Sequence, residues 1–325
     1  MMRDTIRGYI DRPSAKPGET ISVHVSSRDA QYRASLVRLR QLDHAADGPG
    51  VKITKIDSVP ERIVHGQRHR TQVGNYIKIS PSPPLPESFT FFAFIQPLHL
   101  AAGRQAIASI WDENGKHGWT LEVVDGRLGM RIGDGHNVAF VQSDWPLFEG
   151  IWYGVAGSWD AQNHVVHIAQ QSLVTSTNSR FGCVVPLDSS GITTVQTTNG
   201  LNPAKTPMLI AGLPEDGACS HVLACFNGKI DAPRLHAGIM TPKLLVDWTS
   251  GLQRTEGVIA HWDFSIGIGQ NGITTDQASD ISGNGHHGHC INQPTRAVTG
   301  WNWTGRKDLF MAHRGLVWVQ TGIFR

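Results

Sequence analysis

Apolar and polar residues alternate in short runs along much of this chain, and turn residues separate the runs. Ile21-Ser-Val23-His-Val25-Ser has the period of two that buries one face of a strand. Ala34-Ser-Leu36-Val-Arg-Leu39 predicts a strand after it, and the bulky run Phe89-Thr-Phe-Phe-Ala-Phe-Ile95 predicts a buried one. Trp119-Thr-Leu121-Glu-Val123 and Leu128-Gly-Met130-Arg-Ile132 flank Asp125-Gly126, the dipeptide favoured in a type I′ hairpin. Ile151 to Trp159 and Val165 to Ile168 surround Asp160-Ala-Gln-Asn163, a second hairpin signal. One helix is predicted: Thr241 caps it, Pro242 suits its first position and Gly251 ends it. Leu244, Leu245 and Trp248 would form its apolar face.

Strands this short and this closely punctuated predict an all-β chain containing a sandwich or jelly roll. Residues 1–80 read as a small β-sandwich. Ser80-Pro-Ser-Pro-Pro-Leu-Pro86 lacks the donors a ladder needs, so 81–87 is read as a linker. The jelly roll is expected at 88–245, with a closing segment at 246–305 packed back onto it. Residues 306–325 form an atypical tail.

Composition agrees. The chain has 325 residues, 35 Gly and 17 Pro, which favour turns over long helices. Charged residues are 17% against a usual ~25%, and hydrophobic residues 40%, so extended disorder is excluded. A net charge of +2 gives no electrostatic case for nucleic acid. No apolar run reaches the ~18 residues of a membrane span. The start Met1-Met-Arg-Asp-Thr-Ile-Arg has no secretory apolar region. The cysteines Cys183, Cys219, Cys225 and Cys290 are too sparse for a disulfide scaffold. Cys219 and Cys225 could pair, but free thiols in the cytoplasm are the expectation.

The candidate chemistry is thin. Gly267-Ile-Gly269-Gln-Asn-Gly272 matches G-x-G-x-x-G literally, but no apolar helical stripe follows, so it is read as a glycine-rich loop. His286-His-Gly-His289-Cys290 gathers nitrogen and sulfur ligands suited to zinc, although neighbouring strand residues point to opposite faces. Asp280-Ile-Ser-Gly-Asn-Gly offers oxygen ligands for calcium, or a turn organised by its side chains. The metal candidates are therefore Asp280, Asn284, His286, His287 and His289. Neither G-x-S-x-G nor H-E-x-x-H occurs, and no catalytic or cofactor-binding residue is assigned. The ten tryptophans are expected mostly in the core.

Two stretches resemble the hallmarks of laminin-G-like (concanavalin A-like) jelly rolls. One is Phe226-Asn-Gly228-Lys-Ile230-Asp231-Ala-Pro-Arg-Leu235-His236; the other is His261-Trp262-Asp-Phe264 with Asp280-Ile-Ser-Gly283-Asn-Gly285-His286-His-Gly288. The second set comes last here rather than first. Longer strings resemble the N-terminal half of N,N-dimethylformamidase large subunits: Gly8-Tyr-Ile-Asp-Arg-Pro-Ser, Asn178 to Asp188, Leu209 to Leu213, His261 to Ile273 and Asn292 to Trp303. That resemblance implies an amidohydrolase of large and small subunits that cleaves dimethylformamide to dimethylamine and formate. It also implies a mononuclear iron, held by two tyrosines and a glutamate in a C-terminal domain beyond this region. Tyr9, Tyr32, Tyr76 and Tyr153 all lie upstream of that domain, so none inherits the ligand role. Arg306 to Arg325 does not resemble the family's continuation; a shortened product, a shifted frame and a natural stand-alone relative all fit. The expected role is a non-catalytic scaffold that assembles with a small subunit, in a homo- or hetero-oligomer. The alternative is a lectin-like module for a glycan or a protein.

Overall fold

The computed structural model describes the chain apart from residues 1–4, 12–13, 46, 70–73, 176–184, 218, 253–254, 270–271, 297–298, 303–315 and 320–325, with backbone alone at 316–319. It divides into two units, Met1–Thr71 and Gln72–Arg325. The first holds β1 (Ile6–Ile10), β2 (Val23–Ser27), β3 (Gln31–Ala34), β4 (Val37–Gln41), β5 (Lys52–Lys55) and β6 (Arg62–His65). These pair as three antiparallel ribbons, β1–β2, β3–β6 and β4–β5. Where the sequence leads to a small sandwich over 1–80, the structure thus has three ribbons over 6–65. The strand predicted at 34–39 is two strands that break at Ser35 and Leu36. Ser27 is the one buried residue among those described in this unit, and Ile10, Val23, Leu39 and Ile53 stay exposed. Ribbons of two short strands have little area with which to cover an apolar side.

The second unit contains β7 (Tyr76–Ile79), β8 (Phe89–Pro97), β9 (Gln105–Asp112), β10 (His117–Val124), β11 (Arg127–Asp134), β12 (Val138–Pro146), β13 (Tyr153–Asp160), β14 (Val165–Ser172) and β15 (Gly191–Gln196). It continues through β16 (Met208–Ile210), β17 (Leu213–Pro214), β18 (Val222–Leu223), β19 (Gly228–Ala237), α1 (Pro242–Thr249), β20 (Val258–Asp263), β21 (Ile268–Gly269), β22 (Gly272–Ile273), β23 (Gln277–Asp280), β24 (Gly288–Ile291) and β25 (Leu316–Val319). One antiparallel path runs β12-β11-β10-β9-β16-β7-β24-β23-β20-β19-β8-β13-β14-β15, with β25 beside β19. The path folds over so that its halves face each other: Trp119 of β10 lies 5.2 Å from Phe89 and 5.7 Å from Phe91 of β8, centroid to centroid. This is the all-β, jelly-roll-like sandwich that the strand pattern predicts.

Local signals act as written. Asp125 and Gly126 take φ of 50° and 72° between β10 and β11. Asp160 Oδ1 accepts from the Gln162 and Asn163 amides in the turn between β13 and β14. Thr241 Oγ1 accepts from the Leu244 amide at 3.2 Å, Pro242 opens α1, and Gly251 follows its C-cap with φ 86°. The helix buries Leu244, Leu245 and Trp248 against Phe92, Phe94 and Trp152. Because Phe89, Phe91, Ala93 and Ile95 face the inner core, β8 is covered on both sides. That is why its run is apolar at all but Thr90 between Phe89 and Ile95, rather than alternating.

Two placements differ from the sequence reading. β7 lies before the proline stretch yet pairs with β16 and β24 in the large sheet. Proline ended this strand at Ile79; it did not end a unit. The segment 246–305 does not rest on the sheet but completes it: β20 pairs with β19, and β23 and β24 carry the path to β7. Gly288 permits that pairing, since a Cβ there would sit 2.4 Å from Ile77 Cγ2.

Candidate functional site

The turn between β23 and β24 collects the residues with metal-ligand chemistry. Asp280, the last residue of β23, is buried, and both carboxylate oxygens are engaged. Oδ1 accepts from the His261 and Ser282 amides, each at 2.9 Å. Oδ2 accepts from Ser282 Oγ at 2.9 Å and the His286 amide at 2.8 Å. Burial alone would raise the Asp280 pKa, but these donors win and hold the carboxyl below its ordinary range. Asn284 donates through Nδ2 to the Ile259 carbonyl at 2.9 Å and the Val258 carbonyl at 3.3 Å. Gly283 and Gly285 supply φ of 92° and 78° for the reversal.

The histidines separate. His287 is exposed, and its Nδ1 accepts from the Asp280 amide at 3.1 Å. His286 is half-buried, with its carbonyl accepting from Trp262 Nε1 at 2.7 Å. His289 lies exposed on β24, opposite Lys78 and Gln277. Among the described residues no group of three or more His, Cys, Asp or Glu is arranged to hold a metal ion. Asp280, Asn284 and the His286 backbone thus tie the β20 stretch to the turn before β24, while the His289 side chain takes no part. Of the glycine run, Gly269 pairs with Gly272 between β21 and β22, and residues 270–271 lie outside the described residues. Cys219, Cys225 and Cys290 are buried, while Cys183 lies outside the described residues. Trp111, Trp119, Trp152, Trp159, Trp248 and Trp262 are buried, as expected of core tryptophans.

A cavity of about 390 Å³ opens beside the start of α1, lined by His236, Ile239, Thr241, Lys243, Leu244 and Glu256 among others. His236 was visible in the sequence only as the end of a fold hallmark. Its Nε2 donates to the Glu256 carbonyl at 2.8 Å, and its ring meets Trp248 edge-on at 5.4 Å. Gly257 fits against the ring, where a Cβ would lie 2.8 Å from Nε2. Burial pushes the imidazole below its ordinary pKa, so it is neutral near pH 7. Lys243 is tied to Asp247 at 3.0 Å. The lining can hold a small molecule, but it pairs no nucleophile with a base.

Sequence comparison decides the relationship. The chain is 42% identical over 318 residues to the "N,N-dimethylformamidase beta subunit" of Paracoccus aminophilus, which is 94% of this chain and 42% of that protein. It is also 42% identical over 325 residues to the subunit of the same name from Alcaligenes sp.. This chain is a relative of the dimethylformamidase beta subunit. It spans about two fifths of the length of the relatives it matches. No family model matches it. Solved structures similar to it include a carbohydrate-binding protein from Bacteroides ovatus, at 14% identity and a TM-score of 0.44, covering 74% of this chain and 65% of that one. The LG1-3 region of the laminin alpha2 chain has 13% identity and a TM-score of 0.38, covering 53% of this chain and 32% of that one.

The iron ligand set implied by the resemblance, two tyrosines and a glutamate, does not fit the residues here. Tyr153 is buried, its oxygen accepts from the Phe148 amide at 3.1 Å, and burial pushes its pKa up to about 12. Tyr76 is buried beside Cys219 and Cys225. Tyr9 stacks on His24 at 4.9 Å. Glu122 is fully buried and held by two arginines.

Proposed function

We propose that this chain is a non-catalytic scaffold and assembly region of a dimethylformamidase-like hydrolase. On this reading it associates with a small subunit, and amide C–N cleavage at a mononuclear iron belongs to polypeptide outside it. The observation that carries the proposal is the 42% identity sustained over 94% of the chain. The contacts of Asp280 support it, because this carboxylate is already bonded to its own chain through both oxygens. We place the protein in the cytoplasm on the same reading; no helix among the described residues is long and apolar enough to cross a membrane.

Co-expression of the chain with a dimethylformamidase small subunit tests the assembly role. A complex of fixed stoichiometry on size exclusion, retained at about 0.5 M salt, is the expected result, since burial rather than exposed charge should hold such an interface. Two independent peaks under all conditions would refute it.

A further inference from the structure

The strands β9 to β12 turn a second face away from the core, and that face carries a row of charges. On β10 the core takes Trp119, Leu121 and Val123, so Thr120 and Glu122 project to the outer side. The Glu122 carboxylate is fully buried there. Its Oε2 accepts from Arg104 Nε at 2.5 Å. Its Oε1 accepts from Arg131 Nε at 3.1 Å and Nη2 at 3.0 Å. Arg131 lies over the Phe140 ring, with Cζ 4.6 Å from the centroid. Gly129 makes room for that ring, since a Cβ would fall 2.6 Å from Phe140 Cε2. Phe140 itself is 38% exposed.

Counting donors and acceptors leaves a surplus. Glu122 spends its acceptors on Nε of Arg104 and on Nε and Nη2 of Arg131, so both guanidinium groups keep N–H donors it does not take. Arg104 Nη2 is buried and has no partner among the described residues. Thr120 Oγ1, two positions from Glu122 on the same face, is also buried without one. Glu113 meets Arg104 Nη1 only at 3.8 Å and is held instead by Trp111 Nε1 at 2.5 Å. The side chains of Arg104 and Arg131 are 28% and 24% exposed, so the N–H donors that Glu122 does not take can be met by an acceptor from outside the chain. A guanidinium meets a carboxylate with two parallel bonds, and the exposed aromatic face beside it suits a flat ring body.

We propose that the outer face of β9–β12 is a binding site for a carboxylate carried on a ring, with Arg104 and Arg131 meeting the carboxylate and Phe140 the ring. Two sources share that chemistry, an acidic sugar and an aromatic acid. The site is independent of the subunit role proposed above.

The full chain is titrated by calorimetry with glucuronate and with benzoate. Glucose and benzyl alcohol serve as uncharged counterparts, and sulfate as a bare anion. Saturable binding of at least one ring carboxylate is expected, with a Kd of about 1 mM or tighter. The uncharged counterparts and sulfate should bind at least roughly tenfold more weakly, having lost either the charge-assisted pair or the ring contact. Which of the two acids binds identifies the source. Arg131→Gln should abolish the effect, but it disturbs a buried ion pair. Arg104→Lys, which keeps charge and loses the fork, and the surface change Phe140→Ala are therefore measured after confirming unchanged thermal melting. Each should weaken binding several-fold. The proposal is overturned if neither ring carboxylate saturates, if sulfate binds as tightly, or if both folded variants bind like the original chain.

Discussion

Asp280 joins two stretches of chain through its two oxygens, receiving His261 and Ser282 on one and Ser282 and His286 on the other. Replacing it by Asn keeps the shape but turns one acceptor into a donor facing donors. We expect Asp280→Asn to cost about 1.5–3 kcal/mol, the range for hydrogen bonds to a charged group. The folded state holds this carboxyl below its ordinary range, so its stabilisation is complete above the unfolded value of about 3.9 and is lost as pH falls through the lower folded value. Urea midpoints measured from about pH 5 to about pH 3 should therefore fall more steeply for the original chain than for the variant. Parallel curves would show that Asp280 is not the linked group. The sequence offered both readings of this motif, ligand set and organised turn. Composition could not separate them, because the deciding partners are backbone amides of His261 and His286, which any residue provides. His286, His287 and His289 are close in sequence, but they face different surroundings once β24 is paired.

At the scale of elements, α1 depends on one side chain at its start. Thr241→Ala removes the acceptor for the Leu244 amide and should cost about 1 kcal/mol, while Thr241→Ser should recover most of it. Thermal melting of both variants checks this; equal melting temperatures would deny the cap any weight. The helix, the Asp125-Gly126 hairpin and the turn at Asp160 were legible because each is specified within about ten residues by donors, acceptors and permitted φ. Pairing between distant strands was not. β7 meets β24 across some two hundred residues, with Gly288 against Ile79 and Cys290 against Ile77. Nothing local to Tyr76–Ile79 separates a strand of the ribbon unit from one in the large sheet. The row Arg104, Glu122, Arg131 escaped the sequence for the same reason. Glu122 reads as an ordinary polar member of an alternating strand until β9 and β11 bring the arginines beside it.

For the whole molecule, the question is whether this chain performs the chemistry attached to its relatives' name. Hydrolysing an amide near neutral pH needs an activated water and stabilisation of the tetrahedral oxyanion. Two buried acids are engaged: Glu122 by Arg104 and Arg131, and Asp280 by four donors. His236 is neutral, but its Nε2–H is committed to the Glu256 carbonyl. Glu122 and Asp280 would have to surrender these bonds before acting on substrate, and the Nδ1 that His236 leaves unpartnered among the described residues is buried. We therefore expect the purified chain to release no dimethylamine from dimethylformamide above a buffer control, with ferrous or ferric iron and a small subunit supplied. Turnover that vanishes in a His286→Ala/His287→Ala/His289→Ala variant with unchanged melting would reverse this conclusion. It would show that the imidazoles of β24 and its preceding turn recruit a catalytic metal despite facing different ways.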